Sequence, residues 1–169
     1  MTLVYKAGRR VWRVRGLLWL SLVVAVWFVI WGVDLYRTYG LRSADGGVLA
    51  PEGVRRAWAF GMGGLGVACA AGMWIYARAY VAALWLDDIG DRVAIQTVGG
   101  WWRTRIVVPR RHVRAAVFHD GRMYAGPQSV RAPWYTVRVD GHARRFIVDA
   151  QGTTVDKAMF QRVLSGGRR

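Results

Sequence analysis

The sequence predicts an α+β membrane protein, with a two-helix transmembrane hairpin near the N-terminus and an antiparallel β domain after it that closes with a helix. Two long uncharged runs, of 18 and 21 residues, precede a region of short alternating segments separated by Gly and Asp residues. The chain of 169 residues is 54% hydrophobic and holds ten tryptophans, which is high for a soluble protein. We therefore divide it into a basic flank at 1–15, a helical hairpin at 16–78 and a soluble domain at 79–169.

The first uncharged run covers 16–33, between Arg15 and Asp34. At the rise of an α-helix it spans ~27 Å, and the second run, 57–77, spans ~31 Å, both close to the ~30 Å hydrocarbon core of a bilayer. The first run is too long and too rich in tryptophan for the apolar core of a cleaved signal peptide. Both runs are predicted to cross a membrane.

The distribution of positive charge predicts the orientation of these two spans. Residues 1–15 carry five positive and no negative charges, the loop 34–56 carries four and three, and the chain after residue 77 carries sixteen and seven. Segments rich in arginine and lysine tend to stay on the matrix or cytoplasmic side. We expect both termini on that side and the loop on the other.

The second span has a helix-packing face made of small residues at three- and four-residue spacing: Ala57, Gly61, Gly64, Ala68 and Gly72. The first span is the favoured partner for this face, and a helix of another protein is the alternative. The literal G-x-G-x-x-G pattern at 61–66 lies inside this run, without the preceding strand that a dinucleotide site needs. We interpret it as helix packing.

Alternating segments in the second half of the chain predict an antiparallel meander. Its strands are expected at 82–86, 92–98, 103–108, 113–118, 135–139 and 144–148. The stretch 119–132 shows no pattern and is expected to form a long loop. A short helix closes the chain, with Thr153 as its cap and an apolar face of Val155, Met159, Phe160, Val163 and Leu164. This order of elements is typical of pleckstrin-homology-like domains.

Residues for catalysis or metal binding are sparse. Cys69 is the single cysteine, and His112, His119 and His142 have no partner at helical ligand spacing. No nucleophile elbow, paired acid and base, or phosphate loop is present. We therefore expect no enzymatic activity, no metal, no cofactor and no small-molecule substrate.

The basic residues indicate anionic partners. The net charge is +15, and only two of the 25 basic residues are lysines. The candidate contacts for an anionic lipid such as cardiolipin, or for a protein partner, are Arg9, Arg10, Arg13, Arg15, Arg55, Arg56, Arg103, Arg105, Arg110 and Arg111. Trp101 and Trp102 form a candidate aromatic contact. Asp87, Asp88 and Asp91 occupy the first hairpin turn and argue against a phosphoinositide pocket there.

Several short motifs, in order, resemble the transmembrane protein 223 group of mitochondrial inner-membrane proteins. They are Leu3-Val4-Tyr5 before the first span, Arg55-Arg56-Ala57-Trp58-Ala59-Phe60-Gly61, Val107-Val108-Pro109 through Val113, Val137 through Asp149, Gly152, and Lys157 through Phe160. The resemblance implies a multi-pass protein of the inner membrane with its β domain in the matrix, so the side on which the charges predict both termini would be the matrix. It also implies a role in building cytochrome c oxidase (complex IV) by contact with membrane subunits, without chemistry of its own.

The residues themselves leave two other functions open. One is a bacterial-type pleckstrin-homology-like membrane protein with a lipid-binding or regulatory role, in a bacterial inner membrane with cytoplasmic termini. The other is a membrane tether that binds RNA through its basic domain, although nucleic acid is the less favoured partner.

Overall fold

The computed structural model describes residues 1–41, 47–87, 89, 91–99, 102, 104–125 and 128–166. The chain forms two compact units, one of residues 16–75 and one that combines 1–15 with 76–169. Its helices are α1 (Arg10–Thr38), α2 (Glu52–Ala79) and α3 (Lys157–Leu164). Its strands are β1 (Thr2–Lys6), β2 (Val81–Leu86), β3 (Arg92–Thr97), β4 (Thr104–Pro109), β5 (Val117–His119), β6 (Arg122–Ala125), β7 (Gln128–Arg131), β8 (Trp134–Arg138), β9 (Arg145–Asp149) and β10 (Thr153–Thr154).

The helical unit is a close pairing of α1 and α2. A Cβ atom added at Gly66 would lie 2.7 Å from the Cβ of Phe28 and 3.1 Å from the Cα of Ala25. One added at Gly32 would lie 2.8 Å from the carbonyl oxygen of Ala59. Glycine at these positions lets the two backbones approach closely.

Most of the remaining surface of both long helices is apolar and exposed. Only 17% of the most apolar window of α1 and 6% of that of α2 is buried. Both helices are long and apolar enough to cross a membrane, and they contain the two predicted spans. A soluble monomer rarely exposes so large an apolar area to water. The exposure is therefore what a lipid-facing helix pair would show.

The β unit is built around a five-stranded antiparallel sheet with the order β10-β1-β2-β3-β4. Thr2 pairs with Leu86 and Lys6 with Ala83, so β1 and β2 are direct neighbours. A second sheet has the order β5-β8-β9, and β6 pairs with β7. Phe146 of the second sheet is fully buried. The predicted α+β class is confirmed, and the helical hairpin is an insertion between two neighbouring strands.

The N-terminal strand is the largest difference from the sequence prediction, which treats 1–15 as a basic flank. Val4 is 0% and Tyr5 1% exposed, because β1 lies between β2 and β10 in the sheet. Its strand partner β2 follows some 75 residues later in the chain, beyond both long helices. A five-residue strand beside a charged run has too little local pattern to be recognised when its partner is so distant.

The stretch predicted as a long loop, 119–132, instead contains the β6–β7 hairpin, in which Arg122 pairs with Arg131. Among the described strands, β6 and β7 pair only with each other. Each has four residues, which is too short to show a clear alternation in the sequence. The strand predicted at 113–118 is shorter than expected. A 3₁₀ turn occupies 110–112, and regular pairing begins only at Val117.

The C-terminal helix is present, but its predicted cap is wrong. The carboxylate of Asp156 accepts a hydrogen bond from the backbone N–H of Met159 at 3.0 Å, whereas Thr153 belongs to β10. Phe160 and Val163 are buried as expected. Val155 precedes the helix and is 60% exposed, so it does not belong to the apolar face.

Candidate interaction surfaces

A group of polar side chains, the Asp149 cluster, gathers at the point where the helical insertion leaves and rejoins the β unit. Asp149 is the last residue of β9, Arg10 is the first of α1, and Tyr80 directly follows α2. The guanidinium group of Arg10 pairs with Oδ2 of Asp149 at 2.5 Å, and the Tyr80 hydroxyl donates to the same oxygen at 3.1 Å. The backbone N–H of Gln151 donates to Oδ1 at 2.8 Å. The Tyr5 hydroxyl donates to the Asp149 carbonyl oxygen at 3.0 Å.

Packing around this cluster holds its members in place. The Tyr5 ring stacks on Phe160 with a centroid distance of 5.5 Å. A Cβ atom added at Gly152 would lie 2.4 Å from the Tyr5 ring, so a larger residue there would displace it. The side chain of Gln151 accepts from Arg10 and donates to the carbonyl oxygen of Arg131 at 2.9 Å. The cluster thus joins the first residue of α1 and the residue after α2 to β9, all within the unit of residues 1–15 and 76–169.

Burial, together with the negative charge of Asp149, raises the pKa of Tyr80 and of Tyr5 well above the usual tyrosine range. Both phenols are therefore protonated donors at neutral pH. From the sequence, Arg10 is expected to contact anionic lipid or a partner, but the structure pairs it with an internal carboxylate. No sequence signal joins Arg10 to Asp149, since 139 residues separate them.

The tyrosines predict a loss of stability at high pH. A group whose pKa is higher in the folded than in the unfolded state stabilises the fold fully at pH values below its unfolded pKa, which for tyrosine is about 10. This stabilisation is lost as the pH rises above that value. We expect the unfolding temperature of the detergent-solubilised chain to fall steeply above about pH 10. Tyr80→Phe should flatten this fall, because the variant lacks one of the two ionising phenols.

Tyr135→Phe is the matched control, because Tyr135 takes no part in the cluster. It should keep the wild-type dependence on pH. Equal slopes for Tyr80→Phe and the wild type in differential scanning fluorimetry would contradict the assignment.

Three further arginines predicted to contact partners make intramolecular contacts. Arg55 donates to the carbonyl oxygen of Tyr36 at 2.8 Å and lies over its ring at 5.2 Å. Arg56 pairs with the glutamate one turn earlier in α2. Arg110 donates to the carbonyl oxygen of Gly166 at 3.4 Å. Arg55 and Arg56 therefore make contacts within the helical hairpin, and Arg110 contacts the C-terminal end of the β unit.

The remaining residues predicted to contact a partner are exposed, lie over an aromatic ring or fall outside the described residues. Arg9, Arg13 and Arg111 are exposed and form no ion pair within the described part of the chain. Arg15 lies over the Trp12 ring at 6.0 Å, and Arg105 lies over the Trp85 ring at 4.8 Å. Trp102 is 84% exposed. Trp101 and Arg103 lie outside the described residues.

Helix α2 carries small residues on two opposite faces. All five residues of the predicted packing face are exposed, and a Cβ atom added at Gly61, Gly64 or Gly72 would meet nothing within 4 Å. The contact with α1 instead uses a face that includes Ala59 and Gly66. The expectation that α1 covers the predicted face is therefore wrong, and packing against another helix stays a prediction. Spacing alone cannot choose between two such faces.

A model of the TMEM70/TMEM186/TMEM223 protein family matches residues 14–165, which include most of both long helices and nearly all of the later β unit. The chain matches no curated protein and no solved structure.

Proposed function

The chain belongs to the TMEM70/TMEM186/TMEM223 protein family, and from this membership we propose that it is a non-catalytic accessory subunit or assembly factor of a respiratory-chain complex in the mitochondrial inner membrane. The family is a mitochondrial membrane family linked to respiratory complex assembly. We assign this chain to cytochrome c oxidase, or to a supercomplex that contains it, because its motifs resemble those of the transmembrane protein 223 group. It acts by helix packing and by matrix-side contacts.

The connection between β1 and β2 supports a hairpin whose ends lie on one side of the membrane. The chain leaves β1 for α1 and returns from α2 directly into β2, and these strands pair antiparallel with one shift of register between Leu3 and Tyr5. Two spans inserted between paired strands must begin and end on the side where the sheet lies. The excess of arginine in both flanking segments supports the proposal that this side is the matrix.

The observation that carries the proposal is the exposed small-residue face of α2: Ala57, Gly61, Gly64, Ala68 and Gly72. Because lipid tails are as apolar as helix side chains, helices associate in membranes through close packing, and small residues permit it. The α1–α2 contact already uses a separate set of small residues, so this second face is not needed for the hairpin itself. It suits a helix of another subunit.

A groove between the two long helices lies beside this face. It has a volume of 480 Å³ and is lined mostly by apolar residues of both helices, among them Val29, Val33, Phe60, Gly64 and Val67, together with Tyr36 and Arg56. A side chain from a third helix would fit between α1 and α2 here while its backbone lies against the glycines. The face and the groove form one continuous apolar surface through Gly64.

The function is tested by Ala68→Leu, which adds bulk to this face without lowering its hydrophobicity. We expect the protein to insert normally but its share in the oxidase complex to fall several-fold, because the partner helix is pushed away. The measurement is native electrophoresis of mitochondrial membranes with in-gel oxidase activity, followed by detection of the chain.

Cys69→Leu is the matched control. Cys69 is also exposed, and it points ~100° around the helix from Ala68. It should leave the share in the complex unchanged. Loss of association in both variants, or in neither, would contradict the assigned face. If the wild-type chain comigrates with a different respiratory activity, the complex with that activity is the partner and cytochrome c oxidase is not.

A further inference from the structure

The β unit contains a groove of 540 Å³ beside the turn that joins β1 to α1. Lys6, Arg9 and Trp12 line it from this turn and the first residues of α1, and Trp85 and Gln96 line it from β2 and β3. Sites of roughly 300–1,000 Å³ suit small ligands or head groups. The groove is distinct from the Asp149 cluster and from the small-residue face of α2.

The groove is strongly cationic. Lys6 and Arg9 are exposed along it, and each of its two tryptophans carries an arginine on its ring, Arg15 over Trp12 and Arg105 over Trp85. No carboxylate occurs among the described residues that line it. In the same described part of the chain, none of these four cations pairs with an acidic side chain. Such a concentration of unneutralised positive charge favours an anionic ligand.

The position of Trp12 indicates where that ligand comes from. Trp12 is 70% exposed, and the uncharged run of α1 begins four residues later at Gly16, ~6 Å along the helix axis. Tryptophan prefers the interface between hydrocarbon and water. If α1 crosses the membrane, Trp12 and the groove that it lines lie at the level of the phospholipid head groups.

We propose that this groove binds the phosphate of an anionic phospholipid. Lys6 and Arg9 bind the phosphate oxygens, the Gln96 amide donates to oxygens of the glycerol region, and the Trp12 ring contacts the start of the acyl chains. Arg15 and Arg105 stay on the tryptophan rings and add to the positive potential. This inference rests on the membrane insertion of α1, which is part of the proposed function, and does not depend on membership of any complex.

The test uses the purified full-length chain in mild detergent and native mass spectrometry to count bound lipids. We expect saturable binding of cardiolipin or phosphatidylglycerol and little binding of phosphatidylcholine. Replacing both Lys6 and Arg9 by Gln should weaken binding of the anionic lipids about tenfold or more. Each cation near an anionic head group adds a favourable electrostatic term to the free energy of binding. Trp12→Ala should also weaken it, and because this side chain is exposed the variant should remain folded.

The matched control replaces two exposed arginines outside the groove, Arg111 and Arg162, by Gln. It removes the same charge and should change lipid affinity less than about twofold if binding is local. Equal losses in the control and in the groove variant would overturn the proposal, as would equal binding of anionic lipid and phosphatidylcholine.

Competition with two soluble anions tests whether the ligand of the groove is a lipid. Inorganic phosphate at millimolar concentration, or a short RNA oligomer, should leave the lipid in place. Displacement by either would assign the groove to a soluble anion or to nucleic acid and would overturn the lipid proposal. Because the purified chain is measured alone, failure here is distinguishable from failure to associate with the oxidase complex.

Discussion

Replacing Asp149 by Ala should lower the free energy of unfolding of the β unit by about 2–4 kcal/mol. The substitution removes the side-chain acceptor for three donors, namely the Arg10 guanidinium group, the Tyr80 hydroxyl and the Gln151 backbone N–H. The Asp149 side chain is 15% exposed and that of Arg10 is 33% exposed, so water compensates the loss only in part. The buried Tyr80 hydroxyl is left without its acceptor, which adds to the cost.

The measurement combines urea unfolding of the detergent-solubilised chain with hydrogen–deuterium exchange of β1 and β9. Exchange should accelerate in both strands, because Asp149 ends β9 and Arg10, the ion-pair partner that the substitution releases, follows β1 in the chain. Asp140→Ala is the control, since its ion pair with Arg114 has exposed fractions of 45% and 63% and should be worth less than about 1 kcal/mol. Similar effects of the two substitutions would show that the Asp149 cluster is not a stabilising junction.

Replacing Gly66 by Leu should separate the two long helices. A Cβ atom at this position would come within 2.7 Å of the Cβ of Phe28 and 3.1 Å of the Cα of Ala25, so the backbone itself must move. Overpacking of this kind costs about 1–3 kcal/mol and often more when backbone atoms clash. The midpoint of unfolding by SDS in mixed micelles should fall accordingly.

Gly64→Leu is the matched control for this prediction. A Cβ atom at Gly64 meets nothing within 4 Å, and the two substitutions change helix propensity equally. Its SDS midpoint should therefore stay near that of the wild type, although its association with partner helices should suffer as in Ala68→Leu. A fall in midpoint that is equal for both variants would show that α1 does not pack where the structure places it.

Local sequence pattern predicted the elements whose formation depends mainly on their own residues. Both candidate spans lie inside α1 and α2, because an uncharged run of about 20 residues is itself the property that a bilayer requires. Strands β2, β3, β8 and β9 lie where the sequence predicts strands. Burial alternates along β9, whereas β2 and β3 are buried at nearly every position. The expectation that Arg9, Arg13 and Arg15 contact lipid or a partner rests on composition and position alone and stays a prediction.

Local sequence patterns did not predict the contacts between residues that are distant in the chain. Nothing local indicates that Arg10 meets Asp149, or that Lys6 and Trp85 line one groove, since the pairing of β1 with β2 creates both arrangements. In α2 the sequence shows two small-residue faces of similar spacing, and only the tertiary structure shows which one α1 occupies.

The sequence by itself thus determined that the chain has two apolar helices, an antiparallel β unit and an arginine-rich surface, because hydropathy, alternation and charge are properties of neighbouring residues. Tertiary structure alone decided that the hairpin is inserted between β1 and β2, which arginines are neutralised internally, and which face of α2 remains exposed. The physical reason is that strand pairing and helix packing bring together residues as far as 139 positions apart. The energies that select such contacts depend on geometry that no local pattern contains.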